Sequence, residues 1–157
     1  MTLEIIWSVL PFLLTMGMFV WGTVMFFRNY DPPDGAMEIY VTGKQWMWKI
    51  QHPEGHREIN ELHIPVGKPI KIVLRSKDVI HDFFVPQFRA RMNVVPGLVT
   101  YFWFTPTKTG TFEILCAQLC GVGHYAMRGT LIVDDQSTFD GWLNMQRTFA
   151  SAAASAR

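Results

Sequence analysis

Hydrophobic positions fall into two regimes along the chain. From Ile5 to Phe27 no charged residue interrupts an apolar run, which stops at Arg28. As a helix this run would be about 35 Å long at 1.5 Å per residue, enough to cross a hydrocarbon core of about 30 Å with some tilt. Trp7 near one end and Arg28, Asn29 and Tyr30 at the other suit interfacial anchoring, and Pro11, Gly17 and Gly22 are tolerated in lipid. The pattern predicts a transmembrane helix over residues 5–27. A cleaved signal peptide fits poorly, because Met1-Thr2-Leu3-Glu4 lacks a basic region and the run is too long. A buried core helix of this length would need more polypeptide to wrap it than the remainder supplies.

Past Asp31-Pro32-Pro33-Asp34-Gly35, within a stiff linker at 28–36, the pattern changes to short runs rich in β-branched and aromatic residues. Strands are predicted at Glu38 to Val41, Trp46 to Ile50, Glu58 to Ile64, Ile70 to Arg75, Phe83 to Val85, Val99 to Phe104, Thr111 to Leu115 and Gly129 to Val133. Turn residues such as Pro65-Val66-Gly67, Pro96-Gly97 and Lys108-Thr109-Gly110 separate them. This spacing predicts a mainly β domain over 37–135, an antiparallel sandwich or barrel. Residues 136–157 follow as a closing helix and loose tail. The helix, Ser137 to Phe149, would be capped by Ser137 and offer Phe139, Trp142, Leu143 and Met145 as a packed face, with the tail at Thr148 to Arg157.

Composition narrows the partners. With 157 residues there is room for about one domain beside the helix, and a formal charge of +1 gives no support for nucleic-acid binding. The same balance leaves no excess charge to hold the protein on an anionic surface, so a lipid bilayer must be entered. Cys116 and Cys120 are the only cysteines and could close only a very small ring, which excludes a disulfide framework.

The chemistry is concentrated in Cys116-Ala117-Gln118-Leu119-Cys120-Gly121-Val122-Gly123-His124-Tyr125-Ala126-Met127. Thiols with imidazole suit copper or zinc, and the thioether of Met127 favours copper. Gly121 and Gly123 let the loop fold back on itself. Singly, each part reads as packing or a surface residue; together, in a loop between two strands, they read as a metal site. A covalent haem is excluded because Gly121 follows Cys120, and a zinc finger lacks its second cysteine pair. One more nitrogen is needed. His81, ending an apolar strand beside Phe83 and Phe84, is the best candidate among the other histidines. His52 and His56 read as a solvated loop, since Pro53 and Gly55 forbid a helix there, and His63 as a half-buried structural residue.

These motifs, with Trp7 to Pro11, Gly43-Lys44-Gln45-Trp46-Met47-Trp48, Asp78-Val79-Ile80-His81 and Asn93-Val94-Val95-Pro96-Gly97 in the same order, resemble subunit II of the haem-copper cytochrome c oxidases. The likeness runs from about residue 4 to 143. It implies a cupredoxin-like Greek-key barrel with a binuclear copper centre, CuA. Cys116 and Cys120 would bridge both coppers, His81 and His124 would each bind one, and Met127 and the Gln118 carbonyl would be weak ligands on either side. It also implies that Trp46 is where the electron enters, sharing a strand face with Trp48. The partners implied are cytochrome c as donor, catalytic subunit I and other oxidase subunits. The location implied is a single-pass membrane protein with its domain in the bacterial periplasm or mitochondrial intermembrane space. The activity implied is that of a proton-pumping cytochrome c oxidase, in which this subunit delivers single electrons to haem without itself reducing oxygen.

The sequence also departs from the family. Two-helix members carry a helix before this one, so the resemblance implies that it is supplied separately, removed or absent from this lineage. Gln118 replaces the usual Glu whose side chain holds magnesium, and the lost charge weighs against that ion. Asn93 and Leu98 replace a usual Asp and Arg, so the interface with the catalytic subunit is expected to be altered. Two other readings are a CuA-dependent nitric-oxide reductase subunit and a membrane-tethered copper-delivery protein. The latter would have no need for Trp46.

Overall fold

The computed structural model describes residues 1–155, and side chains as far as Gln146. Two compact units separate between Pro32 and Pro33. The first is α1 (Thr2–Tyr30), with Pro11 inside it and no buried side chain. It is long and apolar enough to cross a membrane. The helix passes the expected end at Phe27 by a further turn and stops where the Asp31 N–H donates to the Phe27 carbonyl, just ahead of Pro32.

Among the described residues, the second unit holds ten strands and a closing helix. One sheet contains β1 (Met37–Lys44), β2 (Met47–Gln51), β3 (Arg57–Ile59), β5 (Ile70–Ser76) and β8 (Thr100–Phe104), in the order β3-β2-β1-β5-β8. The other contains β4 (Glu61–Pro65), β6 (His81–Val85), β7 (Ala90–Val94), β9 (Gly110–Cys116) and β10 (Arg128–Asp134), in the order β4-β10-β9-β6-β7. Alternate residues face inward, as a period of two requires. Ile39 and Val41 of β1, Trp48 and Ile50 of β2, Ile70, Ile72 and Leu74 of β5, Leu62 and Ile64 of β4, and Leu131 and Val133 of β10 make one shared core. The fold is the expected mainly β, cupredoxin-like sandwich. Its sheets are mixed, however, because β1 runs parallel to β5 and β4 parallel to β10. Strand spacing alone could not distinguish these crossovers from hairpins.

One predicted strand, Glu58 to Ile64, is broken at Asn60, whose φ of 59° turns the chain from the first sheet to the second. Asn tolerates this left-handed conformation, and three of its polar groups are used at the corner. Its side-chain oxygen accepts from the Trp48 N–H at 2.7 Å, its N–H donates to the Trp48 carbonyl, and its carbonyl accepts from the Thr130 N–H. Strand β7 was not predicted, because it is an edge strand with Arg91 and Asn93 among its outward positions, which dilutes the apolar signal.

The closing helix α2 (Gln136–Ser155) starts before Ser137 and runs through much of the expected loose tail; residues 156–157 of that tail lie outside the described residues. Its cap is Asp135, not Ser137. The Asp135 carboxylate accepts from the Thr138 N–H and from the hydroxyls of Ser137 and Thr138. The Ser137 hydroxyl, the Thr138 N–H and the Thr138 hydroxyl together hold the Asp135 carboxyl well below the usual range. Phe139 and Leu143 are buried and Trp142 half-buried, but Met145 is exposed and belongs to the other face.

Trp48 is the bulkiest buried side chain, and its ring meets Phe83 edge-on at 5.1 Å. Trp48→Ala should destabilise the domain by about 3–5 kcal/mol, which chemical unfolding of the variant will measure.

Candidate metal centre

Strand β9 ends at Cys116 and β10 begins at Arg128, so the loop carrying the candidate ligands hangs between two hydrogen-bonded neighbours. Backbone bonds fix it. The Cys116 N–H donates to the Met127 carbonyl, the Ala117 N–H to the Asp82 carbonyl, and the His124 N–H to the Gly121 carbonyl. His124 to Ala126 form one 3₁₀ turn, which brings the His124 imidazole back over Cys120.

The two sulfurs lie 3.7 Å apart, too far for a disulfide of about 2.05 Å but close enough for ions at about 2.3 Å from sulfur to touch both. Around them stand His81 Nδ1 at 4.0 Å from Cys116 Sγ, His124 Nδ1 at 3.7 Å from Cys120 Sγ, and Met127 Sδ at 3.7 Å from Cys120 Sγ. The Gln118 carbonyl, accepting from the Cys116 thiol, lies 3.2 Å away. Every ligand expected from the sequence is therefore gathered at one place. His81, Cys116, Cys120 and Met127 are buried, His124 is half-buried, and the Gln118 side chain is exposed.

His81 opens β6, where the sequence pattern put it at the end of a strand. Its Nε2 meets Asp78 Oδ1 at 2.8 Å. A carboxylate only accepts, so Nε2 carries the proton and Nδ1 presents its lone pair to the sulfurs. The other oxygen of Asp78 accepts from the Gln45 N–H at 2.8 Å, and Gln45 Nε2 donates to the Cys120 carbonyl at 2.8 Å. Partial burial of Asp78 is outweighed by the Gln45 N–H, the His81 ring and the Val79 N–H, which hold its carboxyl below the usual range. Neither Gln45 nor Asp78 was singled out from the sequence. Asp78 could have been, since a carboxylate three residues before a ligating histidine is a common orienting partner.

Trp46 sits in the turn before β2 rather than in the strand, and it does not share a face with Trp48. Trp48 is fully buried whereas Trp46 is 40% exposed. The Trp46 ring lies against the metal loop. A Cβ on Gly123 would come within 2.5 Å of it, and one on Gly121 within 2.9 Å of Gln45 Nε2. The loop glycines are thus needed for this close approach as well as for turning, since Gly121 also has a φ of 122°. Leu119, Val122 and Tyr125 of the same loop are strongly exposed.

Of the other histidines, His52 and His56 differ from expectation, whereas His63 is half-buried as its strand position predicts. His52 is buried, not solvated, and its Nε2 meets Glu58 at 2.7 Å; His56 packs its ring near those of His52 and Trp142. His63 is half-buried and stacks on Trp142 at 4.4 Å. Pro53, Glu54 and Gly55 of the turn stay exposed, but the His52 ring is turned inward against Trp142 of α2, a tertiary contact that local pattern cannot show.

Residues 56–134 match the sequence profile of the family described as cytochrome C oxidase subunit II, periplasmic domain. The chain is similar to the alternative cytochrome c oxidase subunit 2 of Bradyrhizobium diazoefficiens, 40% identical over 82% of this chain. It spans 58% of that relative's length. Its fold is similar to the crystal structure of the periplasmic domain of subunit II of cytochrome oxidase from Bradyrhizobium japonicum, with a TM-score of 0.71 and 29% identity over 75% of this chain and 98% of that one. It is also similar to a chain in a cryo-EM structure of a heme-copper terminal oxidase dimer, with a TM-score of 0.60 and 25% identity over 80% of this chain and 94% of that one.

Burial, with the Cys116 thiol beside it, pushes the Cys120 thiol up to about 12. Because the folded value is raised, the metal-free protein keeps this contribution to stability below the ordinary thiol value of 9.0 and loses it as pH rises toward 12. Urea midpoints of the metal-free chain should fall over this window, and more shallowly in Cys120→Ala.

Proposed function

The chain belongs to the cytochrome c oxidase subunit II family, and from that premise we propose that it receives single electrons from a cytochrome c at a binuclear copper centre and passes them to haem in a membrane-embedded catalytic subunit. In this reading α1 spans the membrane and the β domain lies on the periplasmic side. The observation that carries it is the convergence of four further donors on two sulfurs 3.7 Å apart, six donors in all. A single tetrahedral ion takes four donors. Six, of which two are bridging-capable thiolates, complement two ions, and the soft set with a thioether suits copper. Cys116, Cys120, His81, His124, Met127 and the Gln118 carbonyl would hold them. When bound, the copper pair supplies a one-electron site whose charge is shared between two metals.

The protein's own part is positioning. Asp78 keeps the His81 proton on Nε2, so the ring is ready as a ligand without rearrangement. Gln45 ties the turn bearing Trp46 to the Cys120 carbonyl, which joins the exposed indole to the loop through one short hydrogen bond. Trp48, Phe83 and Val94 keep water from the interior side. Anchoring at both loop ends limits movement of the ligands when the charge changes. The exposed Leu119, Val122 and Tyr125 offer an apolar surface for the catalytic subunit to cover.

Copper reconstitution of the full chain in detergent should give two coppers per chain and an electron paramagnetic resonance spectrum with hyperfine coupling shared over both nuclei. One copper with localised coupling in a folded protein would overturn the binuclear reading and favour copper delivery. Trp46→Ala should slow reduction by a ferrous cytochrome c in rapid-mixing experiments while leaving that spectrum unchanged; an unaltered rate would remove Trp46 from the path.

A further inference from the structure

At the other end of β2 from Trp46, a second group of ligand-type side chains collects beneath α2. It draws on β3, β4, β10 and the turn after β2. The carboxylates of Glu58 and Glu61 and a ring nitrogen of His63 all lie within 4.8 Å of one another. Glu61 and His63 are two apart on β4 and so share a face. His63 Nδ1 lies 3.1 Å from Asp134 Oδ2 and its Nε2 lies 3.0 Å from Glu61 Oε1. A neutral imidazole has one N–H and one lone pair, yet both nitrogens here face groups that only accept. Either the ring carries a second proton or a cation stands among Nε2 and the carboxylates. Further, His52 gives its Nε2–H to Glu58 and is left with a buried Nδ1 that has no partner. No Lys or Arg among the described residues forms an ion pair with Glu58, Glu61 or Asp134, whose partners there are histidines.

We propose that Glu58, Glu61 and His63 form a second metal site, for a divalent cation of the zinc class, with Asp134 orienting His63. A carboxylate on the far nitrogen of a ligating imidazole fixes its tautomer and raises its basicity, and Asp134 is placed to do both. The mixed set of imidazole and carboxylates suits zinc better than calcium, which takes six to eight oxygens, or magnesium, which demands octahedral oxygen and water. Trp142 of α2 stacks on His63 at an interplanar angle of 16°, so an ion on this ring would also steady the helix that closes the domain. The site is independent of the copper centre and stands whether or not that reading holds.

The test uses the full chain in detergent, loaded with copper so that the thiol site is filled, and then equilibrated with Zn²⁺. One zinc per chain should bind with the copper absorption unchanged, and the thermal midpoint should rise. Glu61→Gln alters an exposed side chain and leaves the core intact. That variant and Asp134→Asn should each weaken zinc binding by about 10–100-fold with copper content unaffected. Absence of stoichiometric zinc, zinc retained equally by both variants, or zinc taken up only by displacing copper would each overturn the proposal.

Discussion

Two buried sulfurs 3.7 Å apart, in a loop whose other side chains are mostly exposed, impose the constraint around which this domain is arranged. As thiols they are tolerable, but as a pair of thiolates they would place two like charges in an apolar interior, which is why the Cys120 proton is held so firmly. Only metal cations can supply the compensating charge and accept both sulfurs at once. The surrounding structure supports that exchange: imidazole nitrogens face the sulfurs, the thioether fills the inner side, and the backbone spends its hydrogen bonds on holding the loop rather than on exposing the thiols.

The same constraint explains side chains with no ligand role. Gly43 leaves room for His81, since a Cβ there would lie 2.9 Å from the imidazole. Gly123 leaves room for Trp46 in the same way. Gln45 and Asp78 form a short polar chain linking the turn before β2, the Cys120 carbonyl and His81, so that three separate segments share one arrangement. A displacement of any of them would be felt at both an imidazole and the indole.

The sequence made the ligand set legible because sulfur, imidazole and thioether are rare and were crowded into twelve residues. It made the strands legible wherever one face was apolar and the other polar, as in β1 and β2. What it concealed had physical causes. The break at Asn60 depends on hydrogen bonds to Trp48 and Thr130, which belong to two other strands on either side of it in the chain. The parallel pairings of β1 with β5 and β4 with β10 depend on which crossover packs best, not on alternation. The placement of Trp46 outside β2 is a shift of one residue at a strand boundary, yet it separates the exposed indole from the buried one. Asp135 replaced Ser137 as the cap because its carboxylate can satisfy several donors at once where a hydroxyl satisfies fewer.

His52 and His56, which lie beside His63, show most plainly how burial can reverse a local reading. Pro53 and Gly55 do exclude a helix, as their chemistry requires, but a turn is not necessarily a solvated one. Once Trp142 is placed over it by α2, the rings of all three histidines lie within 6 Å of that indole. Burying His52 without a partner would leave two ring nitrogens unsatisfied, so Glu58 is drawn in beside it at 2.7 Å. That places a carboxylate near Glu61 and His63, and the like charges gathered there call for a proton or a cation as counterpart. The cysteine loop and the α2 clasp therefore pose one electrostatic problem twice, with sulfur at one end of β2 and oxygen at the other.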